Sequence, residues 1–307
     1  MSIRLPGSGP SRRSVLGAAA VLLSPSGLPP GDRSLVLAAD QASRRVILVD
    51  VNTLPWQGSG TADVRGLAAS RLALWSWAGP EDDSWWAVSE AKYRRWRGRE
   101  WVLSCATGGL AVLVSFPEGR VRWAARPGGN PHSIELLPDG RVVVASAAPG
   151  FLRLYSSAAQ YVQYDLAGAH GVHWDGPREL LWAVSDSALT AFRAGEGLEP
   201  VRSVPLPTPG GHDLAAVAAH PDRLWVTTNR HVYQYSVSSG TFSPAAGDGP
   251  GIKSIGDDRR SGQILAVHPD RENPSPWCTS TLTFTRPDGS GRLARTSLYK
   301  ARWLVRR

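Results

Sequence analysis

The chain has 307 residues, of which 42% are hydrophobic and 20% are charged, so it can bury a packed core and is not a disordered protein. Its formal net charge is +8, and only 3 of its 34 basic residues are Lys. It has only two Cys, which excludes a disulfide-rich miniprotein and a four-cysteine zinc site.

The N-terminus has the pattern of an export signal. Arg12 and Arg13 lie in the sequence SRRSVL, no acidic residue occurs before position 27, and the apolar run 15–23 follows. This run is too short to cross the ~30 Å hydrocarbon core of a bilayer as a helix, and the paired arginines resemble a twin-arginine signal. We therefore expect a signal peptide at 1–26, whose exact cleavage site the sequence does not fix.

The predicted domain organisation is a linker at 27–33 and one domain at 34–307. The exported chain is expected to be secreted, monomeric and without stable membrane insertion. Loss of residues 1–26 removes three Arg and leaves a net charge of +5. This mild charge, together with export, favours an anionic carbohydrate or a small acidic ligand as the partner over nucleic acid.

A pattern of strands recurs along the chain. Each copy has a polar residue, a short apolar strand, a polar turn and a very apolar strand, as in 132–146, 170–185 and 212–228. The polar residues that open the pattern are spaced by 38 to 49 residues, and no long segment has a helical period. A repeat of ~40–45 residues with several strands is typical of a β-propeller blade. The polar positions are Lys92, His132, His170, His212, Lys253 and Arg302.

The fold is therefore predicted to be an all-β propeller, with six blades favoured over seven. The C-terminal segment 297–303 supplies half a copy, and its missing partners are found at 34–51. We expect these two segments to pair and close the ring. The stretch 53–86 matches the repeat poorly, so it is either an insertion or part of a seventh blade.

The opening residues of the repeat are the candidate site. Equal positions in successive blades lie around one axis, so Lys92, Lys253 and Arg302 are predicted to bind an anion beside three histidines. The histidines His132, His170 and His212 are the predicted catalytic residues, because a His near its ordinary pKa of ~6.5 can take or give a proton. Asp213 and His173 are predicted to orient the ligand or these groups.

Two chemistries suit this ring of residues. In β-elimination from a uronate, cations stabilise the enediolate while a His moves the proton, and in glycoside hydrolysis a His would protonate the leaving oxygen. A divalent metal held by His132, His170 and His212 is a weaker alternative, because no local metal-binding motif accompanies them. The cofactor requirement is otherwise unknown.

Residues 85–303 resemble an uncharacterised family of secreted bacterial β-propeller proteins. The matching segments include SEAK at 89–92, GNPHS at 129–133, AHGVHW at 169–174, GHDL at 211–214 and KARW at 300–303. The resemblance implies a propeller and no settled activity. In architecture alone the chain is also similar to propeller polysaccharide lyases and rhamnosidases, although no motif matches theirs residue by residue.

The sequence thus predicts an exported propeller with a basic central pocket that binds an anionic, uronate-type glycan. If it is an enzyme, it is expected to be a polysaccharide lyase or a glycoside hydrolase. The alternative is a non-catalytic binding module for a cell-envelope glycan or a protein partner. A structural propeller with a filled channel is a third hypothesis.

Overall fold

A computed structural model of the protein describes residues 20–22, 33–54 and 72–305. Most of the predicted signal peptide and linker, and much of the poorly matched stretch 53–86, lie outside these ranges. The described strands form six antiparallel sheets, five with four strands and one with five. The all-β, six-bladed propeller predicted from the repeat is confirmed. The described part of the stretch 53–86 does not form a seventh blade, because residues 73–78 are an outer strand of the first blade.

Each blade is one sheet. Blade 1 contains β1 (Ala20–Leu22), β2 (Leu35–Asp40), β3 (Arg45–Asp50), β4 (Ala73–Ala78) and β25 (Leu298–Trp303); blade 2 contains β5 (Val88–Trp96), β6 (Arg99–Ala106), β7 (Ala111–Phe116) and β8 (Val121–Ala125); blade 3 contains β9 (Pro131–Leu136), β10 (Val142–Ser146), β11 (Phe151–Tyr155) and β12 (Tyr161–Asp165). Blade 4 contains β13 (Gly171–Asp175), β14 (Leu180–Val184), β15 (Ala188–Ala194) and β16 (Leu198–Pro205); blade 5 contains β17 (Asp213–Ala216), β18 (Arg223–Thr227), β19 (Val232–Ser236) and β20 (Thr241–Pro244); blade 6 contains β21 (Ser254–Asp257), β22 (Ile264–Val267), β23 (Thr281–Thr285) and β24 (Gly289–Arg292). Short 3-10 turns occur at Val51–Thr53, Asp83–Trp85 and Gly176–Arg178.

The turn between β9 and β10 shows how the repeat forms a blade. Leu137 donates its backbone N–H to the carbonyl of Arg141, and Gly140 adopts a φ of +95°, which favours glycine. The next strand, β10, is buried along its whole length. Because neighbouring blades cover both of its faces, the strand is continuously apolar rather than alternating.

The predicted closure of the ring is confirmed. Strand β25 pairs antiparallel with β2, with Arg302 opposite Leu37 and Lys300 opposite Ala39. The first blade is therefore built from both ends of the described chain.

Apolar clusters fill the spaces between neighbouring blades. Trp182 of blade 4 packs edge-on against Tyr235 of blade 5, with 5.5 Å between ring centroids. Trp225 of blade 5 lies in the next cluster and donates to Asp257 of blade 6 at 2.7 Å. Trp101 is also buried, so these three strand tryptophans are core residues.

The tryptophans that flank loops differ in exposure. Trp75, Trp77 and Trp85 are at most 1% exposed because they pack between blades 1 and 2. Trp86 and Trp277 are exposed.

Six strands surround the central channel, one from each blade: β5, β9, β13, β17, β21 and β25. Each lies at the edge of its sheet and contacts the channel strands of both neighbouring blades. All six run in the same direction, so residues that open them meet at one mouth of the channel and residues that end them meet at the other.

Candidate functional site

The mouth where the channel strands begin carries five polar side chains, His132, His170, His212, Lys253 and Tyr299, which we call the entrance cluster. The ring centroid of His170 lies 4.6 Å from that of His132 and 4.9 Å from that of His212. The Tyr299 ring lies 5.8 Å from both His132 and His212. The three predicted histidines are thus brought together although 80 residues of sequence separate the first from the last.

The cluster is closed over most of its surface. His132 and His212 are each 7% exposed and Tyr299 is 4% exposed, whereas His170 and Lys253 are only partly buried. A ligand from solvent would therefore meet His170 and Lys253 first.

Hydrogen bonds fix two of the imidazoles. The Nδ1 atom of His132 lies 2.9 Å from the carbonyl of Asn130, and that of His170 lies 2.8 Å from the carbonyl of Gly168. A carbonyl can only accept, so each ring carries a proton on Nδ1. In their neutral forms both rings therefore hold an unprotonated Nε2 that can accept a proton.

His212 is held from the opposite side of its ring. Its Nε2 lies 3.1 Å from the Tyr299 hydroxyl and 3.3 Å from the Lys253 ammonium. The ammonium can only donate, so Nε2 is the acceptor and the proton of neutral His212 lies on Nδ1. That Nδ1 is buried and has no hydrogen-bond partner among the described residues, which leaves His212 the least satisfied member of the cluster.

Burial and mutual repulsion keep the histidines neutral. Burial, with the charge of His170 as the next cause, lowers the pKa of His132 to about 3. Burial also lowers the pKa of His170, and it lowers that of His212 well below the ordinary value with the nearby Lys253 ammonium as the next cause. Burial and Lys300 lower the pKa of Lys253 as well. An anion would reverse these effects, because it favours the charged forms.

Below the entrance cluster the channel is filled by charged side chains that pair with one another, which we call the ionic layer: Glu90, Lys92, Arg94, Glu135, Asp213, Lys300 and Arg302. Arg302 contacts both Glu90 and Asp213, at 3.0 Å and 2.9 Å. Arg94 makes two hydrogen bonds to Glu135, at 2.7 Å and 2.6 Å.

The two lysines of this layer are also fully engaged. Lys300 lies 3.2 Å from Asp213 and donates to the carbonyl of His132, also at 3.2 Å. Lys92 donates to Ser133 at 2.9 Å and to the carbonyl of Val172. Burial lowers the pKa of Lys92 to about 8 although Glu90 and Glu135 oppose that shift. The layer therefore closes the channel between its two mouths.

The structure divides the predicted site residues between these two places. His132, His170, His212 and Lys253 lie in the entrance cluster. Lys92, Arg302 and Asp213 lie in the ionic layer, and His173 lies beside it with its Nδ1 4.0 Å from Glu135. Burial lowers the pKa of His173 to about 3. The expectation that all six opening residues face one pocket was therefore wrong for Lys92 and Arg302.

This error arose because the copies of the repeat in blade 2 and at the C-terminus were aligned three residues too far along the chain. In three blades a His lies within one residue of the start of the channel strand and is followed by any residue and then an apolar residue, as in His132-Ser-Ile. The equivalent triplet at the C-terminus is Tyr299-Lys-Ala, and that of blade 2 is Ser89-Glu-Ala. The apolar third residue was the signal in the sequence that could have placed Tyr299 in the ring instead of Arg302.

The three histidines do not form a metal site in this arrangement. Over residues 20–22, 33–54 and 72–305, no three His, Cys, Asp or Glu side chains are grouped so that they could hold a metal ion. The same part of the chain has no helix long and apolar enough to cross a membrane.

Solved structures that are similar to this chain include the following three. A protein of unknown function from Bacteroides caccae matches with a TM-score of 0.58 and 9% identity over 88% of this chain and 98% of that chain. The β-propeller domain of Myceliophteria thermophila Cps50 (Swd1) has a TM-score of 0.51 and 14% identity over 84% of this chain and 79% of that one. Hydrazine synthase of Kuenenia stuttgartiensis has a TM-score of 0.44 and 14% identity, and the match covers 60% of this chain and 59% of the synthase chain.

At 9% and 14% identity, the likeness to the Bacteroides caccae protein and to the Cps50 propeller domain shows the fold alone. No curated protein matches the sequence. A family model of unknown function, DUF6528, matches residues 51–307. The resemblance to an uncharacterised propeller family is thus confirmed, and the chain belongs to the family of unknown function DUF6528.

Proposed function

We propose that the protein is an exported propeller that binds an anionic ligand of the uronate class, with the carboxylate held at the entrance cluster. The observation that carries this proposal is the isolation of the Lys253 ammonium. Its hydrogen-bond partner in the described structure is the Nε2 of His212, a neutral nitrogen, and it also lies 5.8 Å from the centroid of the uncharged Tyr299 ring. No carboxylate among the described residues forms an ion pair with Lys253.

The contrast with the layer below supports the same proposal. There each lysine or arginine lies within 4.0 Å of a carboxylate, as Lys300 does with Asp213. A partly buried ammonium without an opposite charge is costly, so a ligand carboxylate would supply what the protein itself lacks. A carboxylate beside Lys253 would also raise the pKa of His170 and His212, and binding is therefore expected to take up protons.

A second candidate function, β-elimination at the same site, is favoured by the free Nε2 of His170. A neutral imidazole can remove the C5 proton of a bound uronate while Lys253 balances the carboxylate charge. The C4–O bond then breaks as the C4–C5 double bond forms, and the protonated His170 returns its proton to the leaving oxygen. A non-catalytic module would use the same contacts without turnover.

The arrangement of blade 1 supports export. Its sheet has five strands where the other five blades have four. The additional strand is β1, which pairs with the outer strand β4 and lies inside the predicted signal peptide. Cleavage after residue 26 would leave four strands in every blade.

Calorimetric titration with trigalacturonate, and with maltotriose as the uncharged ligand, tests the proposal. Lys253→Gln should weaken trigalacturonate binding about tenfold or more, since it removes the cation that faces the carboxylate. Arg230→Gln, at an exposed position in blade 5, is the matched control and should bind as the original protein does. Equal binding of both sugars, or an unchanged affinity in Lys253→Gln, would show that the entrance cluster does not hold the carboxylate.

The same samples separate the two candidate functions. Ultraviolet absorbance of an unsaturated uronate product that appears with the original protein and is lost in His170→Gln would establish elimination. Binding without product would establish the module.

A further inference from the structure

A second cavity lies at the other end of the channel, where the six channel strands end. Its volume is about 740 Å³, and we call it the funnel. Its floor includes Lys92 and Arg302 of the ionic layer and the adjacent His173. The ionic layer separates the funnel from the entrance cluster. The two mouths of the channel are therefore independent places at which a ligand can bind.

The wall of the funnel is largely apolar and aromatic. Leu136, Leu214 and Ile255 contribute aliphatic surface, and the partly buried Trp96, Trp174 and Trp303 contribute aromatic surface. Pockets of ~300–1,000 Å³ with apolar walls and a few placed polar groups are typical of sites for small organic molecules. In the described structure the indole Nε1 of Trp303 is buried without a hydrogen-bond partner.

Two arginines of the wall carry charge that the described structure does not neutralise. Arg97 and Arg259 are both exposed, and neither forms an ion pair with a carboxylate of the described residues. The guanidinium of Arg97 lies over the Trp96 ring, 4.6 Å from its centroid. Arg94 and Arg302, by contrast, are already paired within the ionic layer.

The acidic side chains of the wall are already held by protein groups. Asp257 accepts hydrogen bonds from the backbone N–H groups of Ala218 and Ala219 and from the indole of Trp225. Asp175 pairs with Arg178 at 3.0 Å. These carboxylates are fixed by the fold, so the charge that the wall offers to a ligand is positive.

We propose that the funnel binds an amphipathic organic anion, a molecule with an aromatic or aliphatic body and one acidic group. The body would pack against the tryptophans and aliphatic side chains, and the acid would pair with Arg97 or Arg259. The site is distinct from the entrance cluster, because the ionic layer lies between the two.

Fluorescence titration of the full chain with 8-anilinonaphthalene-1-sulfonate tests this assignment, because the probe combines an aromatic body with one negative charge. The double variant Arg97→Gln/Arg259→Gln should weaken binding roughly fivefold or more, the scale of about 1 kcal/mol for partly exposed ion pairs. Lys253→Gln, which changes only the entrance cluster, and Arg230→Gln should leave the affinity unchanged. The uncharged probe N-phenyl-1-naphthylamine should bind more weakly than the anion and should not respond to the arginine variants.

The outcomes separate this site from the proposed function. Thermal melts must coincide among the variants, so that probe binding to unfolded protein is excluded. Unchanged affinity in the double variant, or a loss of affinity in Lys253→Gln, would overturn the assignment to the funnel. Displacement of the probe by trigalacturonate with the Lys253→Gln variant would identify the funnel as a sugar site and would overturn the ligand class. Failure of trigalacturonate to bind at all would overturn only the entrance proposal.

Discussion

The guanidinium of Arg302 makes two 3.0 Å hydrogen bonds to the carboxylate of Glu90, although 212 residues separate them in the chain. Arg302 belongs to the strand that closes blade 1, and Glu90 belongs to the channel strand of blade 2. The same guanidinium also contacts Asp213 of blade 5 across the channel. One side chain therefore links three blades, which explains why a residue that resembles an anion ligand in the sequence has a structural role.

Replacement of Arg302 is expected to destabilise the protein strongly. Arg302→Met leaves Glu90 and Asp213 with less positive charge around them in a buried site, and loss of one partner of a buried ion pair costs about 3–5 kcal/mol. Urea denaturation measures this loss, with Arg230→Met as the surface control. A loss below about 1 kcal/mol would contradict the structural role of Arg302.

Removal of the closing strand is expected to abolish cooperative folding. Deletion of residues 297–307 removes β25, and with it the pairing to β2 and the cations Lys300 and Arg302. Deletion of residues 306 and 307 alone is the control, because it leaves every described residue in place. Circular dichroism melts should show a sharp transition for the control only, and a comparable transition in the longer deletion would refute the closure.

Stability is expected to fall as the pH is lowered from about 6.5. Burial depresses the pKa of His132 to about 3, and it lowers the pKa of His170 and His212 too. The unfolded chain therefore binds protons below its ordinary histidine pKa of ~6.5 while the folded chain does not, and the folded state loses stability down to about pH 3. For His132 alone the loss at pH 5 is about 2 kcal/mol.

Denaturation at pH 7.5, 6 and 5 measures this dependence, because the buried carboxylates of the ionic layer contribute only at lower pH. The pKa of Glu135, for example, is lowered to about 2, chiefly by Arg94 and Lys92 against its burial. His132→Gln should reduce the stability loss between pH 7.5 and 5 by about 2 kcal/mol, because the other buried histidines keep their own contributions. The same slope in the variant and the original protein would mean that His132 is already protonated in the folded state.

Export is expected to depend on the paired arginines. Arg12→Lys/Arg13→Lys keeps the charge of the N-terminus but removes the pair that a twin-arginine translocase recognises. Fractionation should find the variant retained inside the cell and the original protein outside. Arg4→Lys is the control, and normal export of the double variant would exclude this route.

The sequence by itself determined the fold and most of the entrance cluster. A blade cannot bury both of its faces alone, so each copy had to repeat the same apolar strands, and this repetition is visible in the sequence. It placed His132, His170 and His212 in equivalent positions and predicted the pairing of the two chain ends. These features follow from strand periodicity, and strand periodicity can be recognised from the order of neighbouring residues.

Only the tertiary structure decided which charged residues are available to a ligand. The sequence does not show which carboxylate pairs with a given lysine or arginine. Arg302 contacts Glu90 and Asp213 only because closure of the ring brings them together. A one-residue step along a strand turns a side chain to the other face. The predicted alignment of the last strand was shifted by three residues, so the predicted site contained Arg302 instead of Tyr299. The sequence did not predict the funnel either, because its wall comes from the ends of strands in separate blades that share no sequence pattern. Charge pairing and cavity shape depend on contacts between distant segments, and the fold alone brings those segments together.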